Sequence, residues 1–198
     1  MKLVAGIGIY ENGDFKIYDE NDKMTREYFT WRNMCKRCEI GGDTQHKYTT
    51  YIGCSVSLDF IHFQDYAQWY TENYYKVPGQ RMELDKDILM KGNKTYSPST
   101  CVLVPQAINS LLLKSDKTRG KWLIGVTWNK AHNKFESRCR NGKGKRLFLG
   151  YYNTEIEAYL SYVKEKEIQI KLRADEFSLY LPMKVYTSLI NYKVDIND

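Results

Sequence analysis

Three short strand-like stretches between Trp122 and Tyr151 restrict this chain's fold more than any other feature of its sequence. Trp122–Trp128, Lys134–Arg140 and Lys145–Tyr151 each read as a short strand, separated from one another by turn signals. Asn129-Lys130-Ala131-His132-Asn133 joins the first two, and Asn141-Gly142-Lys143-Gly144 the last two. Asn-Gly is a strong hairpin signal, since both residues tolerate the positive φ of a tight turn. The pattern predicts a three-stranded antiparallel sheet. A helix is predicted from about Thr154, where Thr154-Glu155-Ile156-Glu157 has the spacing of a capping box. Its apolar residues Ala158, Tyr162 and Val163 are suited to cover one face of the sheet.

Alternation assigns the faces. In the second strand Phe135, Ser137 and Cys139 share one side, and Glu136, Arg138 and Arg140 the other. In the third, Leu147 and Leu149 oppose Arg146 and Phe148. One face is therefore apolar and the other cationic with a flat aromatic. From Lys114 to Arg146 there are eleven Lys or Arg against two acids, a surplus of nine in a chain whose net charge is +6. The rest of the chain is thus mildly acidic, and the positive charge is concentrated here. A three-stranded sheet can enter the DNA major groove, where Arg meets phosphates or guanine edges and Phe148 a thymine methyl. The plain alternative is a sheet face that meets only water.

The string IGVTW…KF…R…GK…LG.Y.T..EA resembles the DNA-binding domain of plant ethylene-response factors, and the copies of it found in phage endonucleases. The likeness covers about 50 residues and rests on Gly125-Val126, Leu149-Gly150, Thr154 and Glu157-Ala158. It implies DNA-facing roles for Thr127, Asn129, Lys134, Arg138, Arg140, Arg146 and Phe148. Thr127 and Asn129 stand where the plant proteins usually have Arg, and Phe148 where Trp is usual, so the plant-type target sequence does not carry over.

A second stretch, Leu84 to Asn109, carries different chemistry: LDKDILMKGNKTYSPSTCVLVPQAIN. Asp85 and Asp87 are one residue apart, and strand alternation points both to the same face. Lys91-Gly92-Asn93-Lys94 is a turn signal, Cys101–Val104 is apolar, and Pro105 suits a helix start. The layout is strand, loop, strand, helix. One carboxylate and one amide suit a Mg2+-like ion that keeps most of its waters, and such an ion can stabilise the leaving oxygen in phosphodiester cleavage. The bland reading is a solvated strand end and a polar helix residue.

The string LDKD…GNK.YSP..C..VP..IN resembles the HNH-type segment of small phage-encoded endonucleases, and its Asp with a distant Asn resembles the segment of phage recombination endonuclease VII. The fold this implies is a ββα-metal finger spanning 84–109. By position, Asp87 and Asn109 would hold Mg2+ or Mn2+, Asn93 would pin the loop, and Asp85 would be an auxiliary ligand or base. HNH enzymes usually carry a His beside the first ligand; here Lys86 and Ile88 flank Asp87, and the three His (46, 62 and 132) lie elsewhere. A neutral imidazole is the natural water-activating group at neutral pH. Without it the base is Asp85, a metal-bound hydroxide or His62, or there is no cleavage.

The remainder reads as scaffold. Residues 3–18 suggest a hairpin about Glu11-Asn12-Gly13-Asp14. Thr25 to Cys38 reads as a helix with Trp31, Met34, Cys35 and Cys38 on one face. Cys35-Lys36-Arg37-Cys38 has zinc-like spacing, and Cys54 with His46 completes a Cys3His set on paper; core burial is the competing reading, and the preferred one. A second helix is expected from Asp59 to Tyr75, with Phe60, Phe63, Ala67, Tyr70 and Tyr74 on one stripe. Five Cys, spread through the chain, argue against a disulfide framework. No apolar run reaches the ~18 residues of a membrane span, and a cytoplasmic location, in a host cell, is expected. The tail breaks near Pro182 and resumes over Met183–Tyr192, with Val185, Tyr186 and Leu189 packing back on the sheet domain.

The fold class expected is α+β: an HNH-like finger wrapped by N-terminal helices, plus a small antiparallel sheet with one packing helix. Residues 1–113 form the nuclease-like region and 114–198 the DNA-binding domain with a helical tail, with 110–120 as the linker. The function expected is that of a phage DNA-binding protein and metal-dependent HNH-like, homing-type DNA endonuclease, whose sheet grips duplex DNA and whose single finger cuts one strand, so that a double-strand break requires a homodimer. Its rival is an inactive nuclease relic that binds DNA, or that binds and blocks a host defence or nuclease protein.

Overall fold

The computed structural model describes residues 2–113 and 120–196. Lys114, Asp116, Lys117 and Arg119 of the basic run, and the centre of the expected linker, lie outside the described residues. The described chain is mixed α+β, with seven α-helices and four small sheets. It divides into two compact units, 1–76 with 82–104, and 77–81 with 105–198. Residues 105–113, read from the sequence with the first region, thus group with the second.

The first unit begins with β1 (Lys2–Val4) and β2 (Gly8–Tyr10), paired antiparallel with Leu3 opposite Ile9. The hairpin turns at Ala5-Gly6, whose φ values of +50° and +65° are those of a tight turn, and not at Asn12-Gly13 as the sequence suggested. A distant side chain explains the difference. The Gln64 carboxamide accepts from Phe15 N–H and donates to the Glu11 and Phe15 carbonyls, so it replaces a partner strand for residues 11–15.

Helix α1 (Arg26–Cys38) follows, then α2 (Asp43–Lys47), a 3-10 turn (Thr49–Tyr51) and β3 (Ser55–Val56). The expected second helix is two, α3 (Leu58–Ile61) and α4 (Phe63–Asn73), broken at the extended His62, which bridges Ile9. Trp31, Met34, Cys35 and Cys38 of α1 are buried, as are Phe60 of α3 and Phe63, Ala67 and Tyr70 of α4, and α1 packs on α4. Trp31 Nε1 donates to Phe60 O at 2.8 Å, and its ring lies 5.4 Å from that of Phe63. Such aromatic pairs add about 0.5–1.5 kcal/mol each beyond their buried area. The CxxC is thus core. Burial pushes the Cys35 and Cys38 thiols up to about 12, as for inert core cysteines.

Strands β4 (Met82–Asp85), β5 (Thr95–Tyr96) and β6 (Val102–Pro105) complete the unit. β4 pairs with β6, while β5 pairs in parallel with β3. Helix α5 (Gln106–Leu112) follows β6, so the expected order of strand, loop, strand and helix is present, with an additional short strand inside the loop.

The second unit is built on β7 (Val126–Asn129), β8 (Lys134–Arg140) and β9 (Arg146–Tyr152), antiparallel in that order. The first strand starts later than the sequence suggested. Gly125 turns the chain at φ +78°, and a Cβ there would run into the Tyr162 ring. Helix α6 (Glu155–Glu176) packs across β8 and β9. Its capping box is complete: Thr154 Oγ1 accepts from Glu157 N–H at 3.2 Å, and Glu157 returns a carboxylate oxygen to Thr154 N–H at 3.0 Å. Such a cap stabilises by ~1 kcal/mol. Val126, Cys139, Ala158, Tyr159 and Tyr162 form the core, with Phe135, Leu149 and Val163 at its edge. Helix α7 (Met183–Ile190) packs on α6, burying Val185 and Leu189; Tyr186 instead donates to Asp175 at 2.8 Å. No helix of the described residues is long and apolar enough to cross a membrane.

Candidate nucleic-acid interface

Strand pairing aligns the face of β7–β8–β9 turned away from α6. Thr127 stands opposite Glu136, Asn129 opposite Lys134, Arg138 opposite Phe148, and Arg140 opposite Arg146. All seven residues singled out on the sheet therefore share one face. Thr127, Lys134, Arg138, Arg140, Arg146 and Phe148 are exposed, and Asn129 is half-buried. Strands ~4.8 Å apart make this face roughly 10 Å across, narrower than a major groove about 12 Å wide.

One carboxylate lies within the face, and it is buried. Glu136 accepts from Arg138 Nε on one oxygen and from Asn129 Nδ2, at 2.9 Å, on the other. The bonds from Arg138 and Asn129 hold its carboxyl below the usual range. Arg138 is thereby oriented, with its guanidinium 5.8 Å from the Phe148 ring centre. Arg140 and Arg146 have no such partner: among the described residues neither forms an ion pair. Like charges directly across two strands destabilise the pair, so this arrangement is one that an outside anion would relieve.

Alternation alone misses two residues of the face, Tyr151 and His132. A bulge in β9 sets Ser137 opposite Gly150 and Arg138 opposite Phe148, leaving Leu149 as the extra residue. The shift keeps Tyr151 on the same side as Phe148, with the two rings 5.0 Å apart. Without the bulge, Tyr151 would point into the core. His132 lies against Tyr151 at 4.3 Å, and Glu136, which alternation does place on this face, is the anchor of Arg138. Gly150 was the available signal, since glycine within a strand commonly marks a bulge.

The other candidate segment is arranged differently. β4 ends at Asp85, and Asp87 lies beyond it in the turn, so the two do not share a strand face. Asp85 Oδ1 accepts from Asp87 N–H at 2.7 Å and Ile88 N–H at 2.8 Å, which makes the turn. Burial raises the Asp85 carboxyl, and those two N–H bonds offset this only in part. Lys86 is buried; its ammonium donates to Asp87 Oδ2 at 2.8 Å and to Asn93 O at 2.5 Å. Asn93 pins the loop as expected, donating to the Lys86 and Thr95 carbonyls at 2.9 and 2.7 Å. Asp87 belongs to the first unit and Asn109, half-buried on α5, to the second. His62 Nδ1 is engaged with Glu11 at 2.9 Å. Among the described residues no three His, Cys, Asp or Glu side chains come together as a metal-holding group.

A scan against protein-family models finds no match to this chain, and neither do searches of the curated proteins and of the solved structures.

Proposed function

We propose that this protein binds duplex DNA through the exposed face of β7–β8–β9, with Arg140 and Arg146 on phosphates and Arg138, Phe148 and Tyr151 toward the bases. The observation that carries this reading is the cross-strand pair Arg140 and Arg146, which face each other with no carboxylate among the described residues to offset them. Lys145 extends the same charge into the turn that joins these strands. Phosphate contacts of this kind release counterions, so binding weakens steeply with salt. The test is fluorescence anisotropy with a labelled duplex over a salt series. Arg140→Ala and Arg146→Ala should each weaken binding and each lower the salt slope by about one. Duplex affinity unchanged in both variants would remove the proposal.

The 84–109 segment enters this reading as a folded support and not as a cleavage centre. A divalent ion at Asp87 and Asn109, with Asp85 beside it, is the finer expectation from its likeness to an HNH finger. The residues present do not fit that ion. The Lys86 ammonium already sits on the Asp87 carboxylate, and Asp85 is committed to two backbone N–H groups and driven toward its neutral form. Supercoiled plasmid incubated with Mg2+ or Mn2+ tests this: the proposal expects no nicking above the Asp87→Ala background. Nicking by the parent that Asp87→Ala abolishes would restore the nuclease reading.

A further inference from the structure

We propose that the groove between the β8–β9 turn and the C-terminal half of α6 binds a small organic anion, a carboxylate or phosphate monoester that carries an apolar body. The inference goes beyond DNA binding, because the groove opens on the helix-covered side of the sheet. Its volume is about 320 Å3, within the ~300–1,000 Å3 of small-molecule sites. The helix contributes Gln169, Leu172, Arg173 and Glu176 to its lining. The turn and β9 contribute Asn141, Lys143 and Leu147.

Arg173 is the group that selects the ligand. It is buried, yet among the described residues Nη1 donates only to Glu176 Oε2 at 2.5 Å, and Nη2 reaches the Asn141 carbonyl no closer than 3.5 Å. A guanidinium carries five N–H donors in a planar fork that matches carboxylate and phosphate, so much of this one's capacity is unused. The Phe177 ring, 5.9 Å away, limits its movement on another side. Lys143 Nζ approaches the same Glu176 oxygen at 3.8 Å. One carboxylate oxygen therefore answers two cations.

Glu176 occupies the place a ligand's acid group would take. Its side chain is 44% exposed, so it can swing into water when a ligand arrives. Leu172, exposed on α6, and Leu147, half-buried on β9, give the groove apolar walls. An inorganic anion would leave those walls wet, whereas an aryl or acyl body covers them and gains by their burial. The Gln169 amide donates to Glu165 at 2.6 Å, which leaves its carbonyl oxygen as a polar contact at the rim.

The test is NMR of the whole chain labelled at leucine methyls, titrated with phenyl phosphate, phenylacetate, inorganic phosphate and neutral phenylacetamide. Saturable shifts at Leu147 and Leu172 are expected with the aryl anions, in the order that identifies phosphate or carboxylate as preferred. Weaker binding is expected for inorganic phosphate, and none for the amide. Glu176→Gln removes the internal competitor and should tighten the preferred aryl anion about tenfold, the scale of one charge-assisted hydrogen bond. Lys143→Gln, at the exposed rim, should weaken it severalfold. The absence of saturable shifts in both the parent and Glu176→Gln would overturn the proposal. So would weaker binding in Glu176→Gln, which is what a purely structural Arg173–Glu176 pair predicts, or equal binding of the neutral amide.

Discussion

The turn at Asp85–Asn93 and the outer sheet face both set a lysine or arginine beside a carboxylate, but they bury opposite partners. In the turn the cation is inside: Lys86 is buried, and Asp87 is the exposed member. On the sheet the carboxylate is inside: Glu136 is buried, and Arg138 is exposed. The consequence is a difference in what is left over. The buried ammonium consumes the Asp87 carboxylate and a backbone carbonyl, and so closes a loop. The buried carboxylate fixes one arginine and leaves Arg140 and Arg146 unmatched at the surface. A mixed cluster of charges thus becomes support or display according to which member the fold takes out of water.

The largest expected effect comes from removing the frame of the display. Gly125→Ala sets a Cβ against the Tyr162 ring at a φ of +78°. Overpacking and strained backbone together should cost about 2–4 kcal/mol, read by urea denaturation, with duplex binding lost in proportion. Lys86→Met should come next. It leaves the Asn93 carbonyl without its donor and should destabilise the first unit by about 1–3 kcal/mol, while duplex affinity stays as in the parent. A Lys86→Met protein that folds normally but fails to bind DNA would break the division between support and display.

A smaller effect separates the two carboxylates by sign. Glu136 is held below its ordinary range, so its contribution to stability is present above the unfolded value of about 4.3 and is lost as pH falls through the folded value. Asp85 is raised by burial, so its neutral form is favoured in the fold, and stability gains as pH falls through its folded value. Glu136→Gln should therefore lessen acid sensitivity and Asp85→Asn increase it, as seen in thermal unfolding from pH 6 to roughly 3. Effects of the same sign in both variants would contradict the contrast.

Much of the second unit was legible in the sequence because its signals are local. The Asn141-Gly142 turn, the Thr154–Glu157 capping box and alternation along β8 depend on near neighbours, and together they put seven outward residues on one face. What was not legible depended on distant or compensating contacts. Gln64 holds residues 11–15 from across the first unit, which moved the hairpin turn to Ala5-Gly6. The Asp85 side chain ends β4 by capping its own turn, which put Asp87 beyond the strand. Lys86 reads as a surface residue in sequence, and its burial follows from the partners supplied by Asp87, Asn93 and the Tyr96 ring 5.8 Å away. The β9 bulge shifted Tyr151 by one position and so changed its face.

The most direct test of the central claim is the salt dependence of duplex affinity in the Arg140→Ala, Arg146→Ala double variant. If these two unmatched arginines meet phosphates, the slope of log affinity against log salt should fall by about two. The fold should be unchanged, or slightly more stable once the like charges are gone, by about 0.2–1 kcal/mol. A slope equal to the parent's, with affinity intact, would contradict the claim that the exposed sheet face binds duplex DNA.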